Sequence, residues 1–181
     1  MTSFDLSFAG KDHFALFGVP RAFAVDGTEL ERLYREVQAR VHPDKHAHLG
    51  DAERRVAMQW ATQVNEAYQT LRDPLRRARY LLQLAGHDPA IETNTAMPAE
   101  FLMAQMELRE AVAAARAAAD AAHLDDLHGR LRQEMAAQHE ALRLTIDERH
   151  DYARAAEIVR QLMFQEKLMS DIDAALEAAE A

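Results

Sequence analysis

His42 and Asp44 are the residues whose types and spacing come closest to a catalytic pair. An imidazole oriented by a carboxylate can act as a general base, but a hydrolase of this kind also needs a nucleophile beside the pair. No serine, threonine or cysteine lies next to them, and Pro43 favours a turn rather than a pocket. Two non-catalytic interpretations remain, an ordinary loop that ends a helix and a loop that contacts a partner protein.

Metal binding is the other chemistry that the histidines could support. His46 and His48 follow the same loop, but no cysteine or well-placed acid completes a ligand set. His123, His128 and His139 share no consistent spacing of four residues. The chain has no cysteine, which excludes disulfides and thiolate ligands for zinc or iron–sulfur clusters. We therefore expect no structural metal and no cofactor.

Two amphipathic helices are predicted to position the His-Pro-Asp loop, one over Thr28–Val41 and one over Asp51–Leu71. We expect an N-cap in the turn Asp26-Gly27-Thr28 and a capping box with Glu31, three residues after Thr28. Pro43 ends the first helix. The apolar stripes of the two helices are Leu30, Leu33, Tyr34, Val37 and Val41, then Ala57, Trp60, Val64, Ala67, Tyr68 and Leu71.

The rest of the chain also has helical patterns. Short helices are predicted over His13–Val19 and Leu75–Ala85, and residues 87–98 form a polar linker with two prolines. Three long patterns follow, Ala99–Asp120, Leu124–Asp147 and Asp151–Ala179, and three such helices pack into a bundle. We therefore predict an all-α protein with an N-terminal helical-hairpin domain over residues 1–86 and a C-terminal three-helix bundle over residues 99–181.

Charge and hydropathy limit the possible partners. The net charge is −9, and residues 98–181 hold 17 acids and 9 bases. This acidic half argues against nucleic acid as the main partner. No apolar run is long enough to span a bilayer, and Asp5, Lys11 and Asp12 interrupt any secretory signal near Met1. We expect a cytoplasmic bacterial protein that does not bind membranes.

The predicted helix Ala99–Asp120 has two apolar faces, although a bundle helix needs only one. Phe101, Leu108 and Val112 form its core stripe. In the last helix the core stripe is Ile158, Leu162, Met169, Ile172 and Leu176. The residues outside these stripes, with two flanking acids, are Leu102, Met103, Met106, Glu107, Glu110 and Phe164. This second face either packs against the N-terminal domain or binds a partner.

The N-terminal region resembles the J-domain family. The matching residues are Tyr34, Val37, His42-Pro43-Asp44-Lys45, Val64-Asn65-Glu66-Ala67-Tyr68 and Leu71-Arg72-Asp73-Pro74. The resemblance implies contact with an HscA/DnaK-type ATP-driven chaperone through His42, Pro43, Asp44, Arg32, Arg35, Arg40 and Lys45. The basic residues would guide the encounter with an acidic surface, although a solvated helix face is the simpler alternative. Glu36 stands where J-domains often have a base.

Nearly the whole chain resembles the HscB family of iron–sulfur co-chaperones. The resemblance lies in His13–Pro20, Arg79–Leu82, Phe101–Glu110 and Val159–Phe164. It implies a protein with no enzymatic activity of its own, which delivers an IscU-type scaffold to its chaperone. The scaffold would bind Leu102, Met103, Met106, Glu107, Glu110 and Phe164. The chain departs from the family at Ala114, where an acid is common. The alternative is a general J-domain co-chaperone, but such proteins usually carry Gly/Phe-rich or zinc-binding segments, which this chain lacks.

Overall fold

The computed structural model describes residues 10–41, 50–87 and 97–180. These residues form α-helices, one π-helical turn and connecting segments, with no β-strand among them. The chain divides into two compact units, Met1–Leu81 and Leu82–Ala181. The predicted all-α class is confirmed. The division falls before Gly86, the end of the predicted first domain, and most of the predicted linker lies outside the described residues.

Seven α-helices are described. The first unit contains α1, α2, α3 and most of α4, and the second contains α5, α6 and α7. A π-helical turn over Leu144–Glu148 follows α6 directly, so the predicted helix to Asp147 changes its geometry near its end. The helices are α1 His13–Phe17, α2 Gly27–Val41, α3 Asp51–Arg72, α4 Pro74–Leu84, α5 Ala99–Ala117, α6 Ala121–Arg143 and α7 Tyr152–Glu180.

Helices α2 and α3 pack together through the stripes that the sequence predicts. Their buried members are Leu30, Val37, Val41, Ala57, Val64, Ala67 and Leu71. The Tyr34 and Tyr68 rings stack with their centroids 4.1 Å apart, and the Tyr34 hydroxyl donates to Asn65 Oδ1 at 2.9 Å. Tyr34, Asn65 and Tyr68 thus join the two helices on either side of segment 42–49.

The start of α2 differs from the prediction. The helix begins at Gly27, and Asp26 Oδ1 accepts the backbone N–H groups of Thr28 at 2.9 Å and Glu29 at 3.2 Å. The predicted capping box between Thr28 and Glu31 is therefore wrong, and the Glu31 carboxylate instead pairs with Arg35. Aspartate is a strong N-cap residue, and its charge also suits the positive end of the helix dipole.

Buried Arg77 holds α4 in place through its hydrogen bonds. Its Nε donates to the carbonyl oxygen of Phe23 at 2.8 Å, and its Nη1 donates to that of Leu71. The guanidinium also lies over the Phe23 ring, 5.1 Å from the centroid. Arg77 is only 8% exposed, a position that the sequence pattern does not indicate for an arginine.

The second unit is a three-helix bundle in which each helix contacts the other two. One apolar cluster in its core contains Val112, Ala115, Leu124, Leu127, Leu131, Leu168, Ile172 and Ala175. In the predicted core stripes, Val112, Ile158, Leu162 and Ile172 are buried, whereas Phe101, Leu108, Met169 and Leu176 are partly buried. The predicted core faces of α5 and α7 are therefore confirmed.

Two buried glutamines are exceptions to the apolar interior of the bundle. Gln105 of α5 is 5% exposed and Gln165 of α7 is 1% exposed. Gln165 Nε2 lies 3.5 Å from Glu134 Oε2, while Gln105 Oε1 is buried with no hydrogen-bond partner in the described part of the chain. Neither glutamine is predicted to be in the core, because a polar side chain within an apolar stripe gives no signal of its burial.

Candidate partner-binding sites

The predicted basic face of α2 is exposed, but its arginines pair with acids on the same helix. Arg32 donates to Glu29 from Nη2 at 2.7 Å and from Nε at 2.8 Å, and it also pairs with Glu36. Arg35 pairs with Glu31. Hydrogen bonds from Arg32 lower the pKa of the Glu29 carboxyl below its ordinary value. The positive charge that α2 offers to a partner is therefore largely balanced within the helix.

Arg40 lies in the last turn of α2 and is exposed. It is separated from the predicted chaperone-binding loop by Val41 alone. The loop residues His42, Pro43, Asp44 and Lys45 lie outside the described residues. The structure therefore describes the helix ends at Val41 and Asp51 but not the tripeptide between them.

The predicted second face of α5 is exposed. Leu102 is 39% exposed, and Met103 and Met106 are each 62% exposed. Glu107 and Glu110 beside them are also exposed. The helix buries Val112 and Ala115 on its other side. The methionines are flexible side chains that adapt to an irregular apolar partner surface.

Phe164 of α7 is 39% exposed. Because α5 and α7 both run antiparallel to α6, they run parallel to each other. The groove between them is lined by residues 109–117 of α5 and 168–174 of α7. With the midpoints of these two segments, residues 113 and 171, at the same level, Phe164 is level with Met106, because each lies seven residues before its midpoint.

We define the apolar patch as Leu102, Met103, Met106 and Phe164. From their exposed fractions, these four side chains leave on the order of 400 Å² of surface accessible, the size of the largest patch on a typical monomer. A patch of this size flanked by two glutamates has the character of a protein–protein contact site, since such sites often have an apolar centre and a polar rim.

A groove that the sequence pattern does not reveal extends along α5 and α7 beyond the patch. It encloses about 640 Å³ and is lined by Arg109, Val112, Ala113, Arg116, Ala117, Leu168, Asp171 and Ala174. Val112 and Leu168 form its buried floor, and the alanines form low walls. The two arginines are seven residues apart on one helix, a spacing that could have suggested a shared face.

Comparison with known proteins identifies the family. Residues 12–80 match the DnaJ domain, and residues 97–173 match the HSCB C-terminal oligomerisation domain. A relative from Aromatoleum aromaticum, described as a co-chaperone protein HscB homolog, is 58% identical over 94% of this chain and 96% of its own length. This chain belongs to the HscB family of co-chaperones. The resemblance stated from the sequence is therefore confirmed.

Solved structures of HscB proteins have the same fold. Chaperone HscB from Vibrio cholerae superposes with a TM-score of 0.82 at 35% identity, covering 93% of this chain and 99% of the other. The human co-chaperone protein HscB superposes with a TM-score of 0.86 at 28% identity, covering 92% of this chain and 82% of the human one. Both similarities span the J-domain and the bundle. The HscB family is a family of co-chaperones rather than of enzymes.

Among the described residues, no three histidine, cysteine, aspartate or glutamate side chains lie close enough together to hold a metal ion. His46 and His48, which follow the predicted loop, lie outside this part of the chain. No helix of the described segments combines the length and apolarity that crossing a membrane requires.

Proposed function

We propose that this HscB-family protein stimulates the ATPase of an HscA/DnaK-type chaperone and delivers an IscU-type iron–sulfur scaffold to it. The observation that carries the proposal is the exposed apolar patch on a bundle that belongs to a different compact unit from the J-domain. Two separate binding surfaces are what an adaptor between two proteins requires. The protein acts in the bacterial cytoplasm.

The two units have different tasks in this proposal. The J-domain contacts the chaperone through His42, Pro43 and Asp44, with Arg40 and Lys45 beside them. The bundle holds the scaffold at the apolar patch, with Glu107 and Glu110 at its rim. Because the chain has no cysteine, it does not ligate the cluster through thiolates, and the cluster stays with the scaffold.

The decisive experiment truncates Leu102, Met103 and Phe164 together to alanine. Central apolar anchors typically contribute about 2 kcal/mol or more each, so scaffold binding measured by calorimetry should be lost. Stimulation of the chaperone's basal ATPase should remain, because the J-domain is unchanged. The synergistic stimulation by scaffold and co-chaperone together should disappear. A matched control is Met58→Ala, which truncates an equally exposed methionine on α3.

A second experiment tests the loop with His42→Gln. The variant should keep its melting temperature and its scaffold binding but lose ATPase stimulation. Stimulation at the wild-type level would exclude the loop as the chaperone contact. Wild-type protein that stimulates the chaperone but does not bind the scaffold would favour a general J-domain co-chaperone.

A further inference from the structure

The groove between α5 and α7 begins at Arg109 and Leu168, about one helical turn beyond Met106 and Phe164 of the apolar patch. At about 100° per residue, Leu102, Arg109 and Arg116 share the side of α5 that faces α7. Phe164 and Asp171 lie along the opposing edge of α7. Arg109, Arg116 and Asp171 line the groove together. A partner segment that covers Leu102 and Phe164 can therefore continue along the groove without leaving the surface.

The groove differs from the rest of the bundle in its charge. The region 98–181 carries 17 acids against 9 bases, yet two exposed arginines line this groove. In the described part of the chain, neither Arg109 nor Arg116 has a carboxylate within ion-pair distance. This distinguishes them from Arg32 and Arg35 of α2, whose charges are balanced by neighbouring glutamates.

The charges of α5 are divided between its two exposed sides. Glu107 and Glu110 lie roughly 100° or more around the helix from the two arginines. Met106 lies between the two sides. A partner that covers Met106 therefore contacts the negative charge of the glutamates on one side and the positive charge of the arginines on the other. Such a division favours one orientation of the partner, because reversing it would bring like charges together.

We propose that the scaffold partner extends from the apolar patch along the α5–α7 groove and places an acidic segment against Arg109 and Arg116. This inference rests on the proposed function. The arginines are seven residues apart, or about 10 Å along the helix axis. The segment therefore carries carboxylates at about that separation, and small side chains between them pack over Ala113 and the floor of Val112 and Leu168.

Asp171 makes the proposal more specific. Its carboxylate lies on the α7 side of the same groove and repels an acidic segment. The segment therefore lies closer to α5 than to α7. Removing this negative charge should strengthen scaffold binding, whereas removing either arginine should weaken it. A general change in net charge would shift the affinity in the same two directions, so the test needs a control that removes two arginines outside the groove.

The test measures binding of purified IscU-type scaffold to the full-length chain by calorimetry. The double variant Arg109→Gln/Arg116→Gln should bind at least about tenfold more weakly, and its affinity should depend less on salt, because charged contacts are screened by ions. Asp171→Asn should bind about twofold to fivefold more tightly. The control is Arg130→Gln/Arg132→Gln, which removes two exposed arginines from α6 and should leave the affinity unchanged.

A steric variant provides an independent test that keeps the charges. Ala113→Phe fills the groove from an exposed helix position and should weaken scaffold binding by a similar factor. Its control is Ala136→Phe on the exposed side of α6. Both variants should retain the wild-type melting temperature and ATPase stimulation.

The possible outcomes separate this inference from the proposed function. Unchanged affinity in the arginine variant, or an equal loss in the Arg130/Arg132 control, would overturn the inference. If the triple truncation of the patch still abolished binding in that case, the proposed function would stand. A wild-type chain that does not bind the scaffold would overturn both.

Discussion

Truncation of Phe164 gives the sharpest single-residue test of the apolar patch. The residue is 39% exposed, so a partner can still cover on the order of 80 Å² of its ring. At about 25 cal/mol per Å², Phe164→Ala should cost about 2 kcal/mol of scaffold binding, or roughly a 30-fold increase in Kd. Phe164 is level with Met106 on α5, so its truncation should weaken the contact near its centre.

The same change also affects folding, because about three-fifths of the residue is already covered in the free chain. A fully buried phenylalanine costs about 3–5 kcal/mol when truncated. We therefore expect a loss of about 1–2 kcal/mol for Phe164, which a domain stable by about 5–15 kcal/mol tolerates. The variant should still unfold cooperatively, at a somewhat lower temperature.

Calorimetric titration with the scaffold and a thermal melt of the free protein together test this reasoning. The control Met58→Ala should change neither scaffold affinity nor ATPase stimulation. An unchanged Kd for a folded Phe164→Ala variant would refute the assignment of Phe164 to the binding surface. Loss of the cooperative melt would instead show that the ring acts mainly as core.

Three further predictions concern other parts of the chain. Gln105→Met should raise the free energy of unfolding by about 1 kcal/mol in urea denaturation, because it removes a buried carbonyl without a partner; an unchanged or lower midpoint would contradict this. Burial lowers the pKa of His13 below its ordinary value of 6.5, although nearby acids oppose the shift. The unfolded chain therefore binds the proton more readily, so stability should fall as pH drops below about 6.5, and His13→Phe should flatten this dependence in pH-resolved melts. Finally, Arg35→Glu should slow association with the chaperone and Glu36→Gln should accelerate it, both more at low salt; stopped-flow rates that respond to neither change would exclude electrostatic guidance by α2.

Helix positions followed from local patterns, but their exact ends did not. The apolar stripes correctly predicted the buried faces of α2, α3, α5 and α7, because helical periodicity sets which side chains share a face. The N-cap of α2 was expected within the turn Asp26-Gly27-Thr28, with a capping box between Thr28 and Glu31, whereas the structure has Asp26 as the cap and no such box. Several residues near a helix start can cap equally well, and the choice depends on where the first turn closes.

The candidate binding sites were also predicted only in part. The apolar residues outside the core stripes of α5 and α7 were recognised from periodicity, and the structure exposes them. The sequence did not reveal that Arg32 and Arg35 pair with glutamates on the same helix, because this pairing depends on side-chain geometry. The loop His42-Pro43-Asp44 lies outside the described residues, so its role remains a prediction.

The sequence by itself determined the all-α class, the family and the presence of a second apolar face on α5. These properties depend on periodicity and on motifs within one segment of chain, which local sequence records directly. Tertiary structure alone decided that Phe164 is level with Met106, that Gln105 and Gln165 are buried, and that Arg109 and Arg116 line a groove opposite Asp171. Each of these depends on the register between helices that are distant in sequence, and that register is set by packing of the whole bundle.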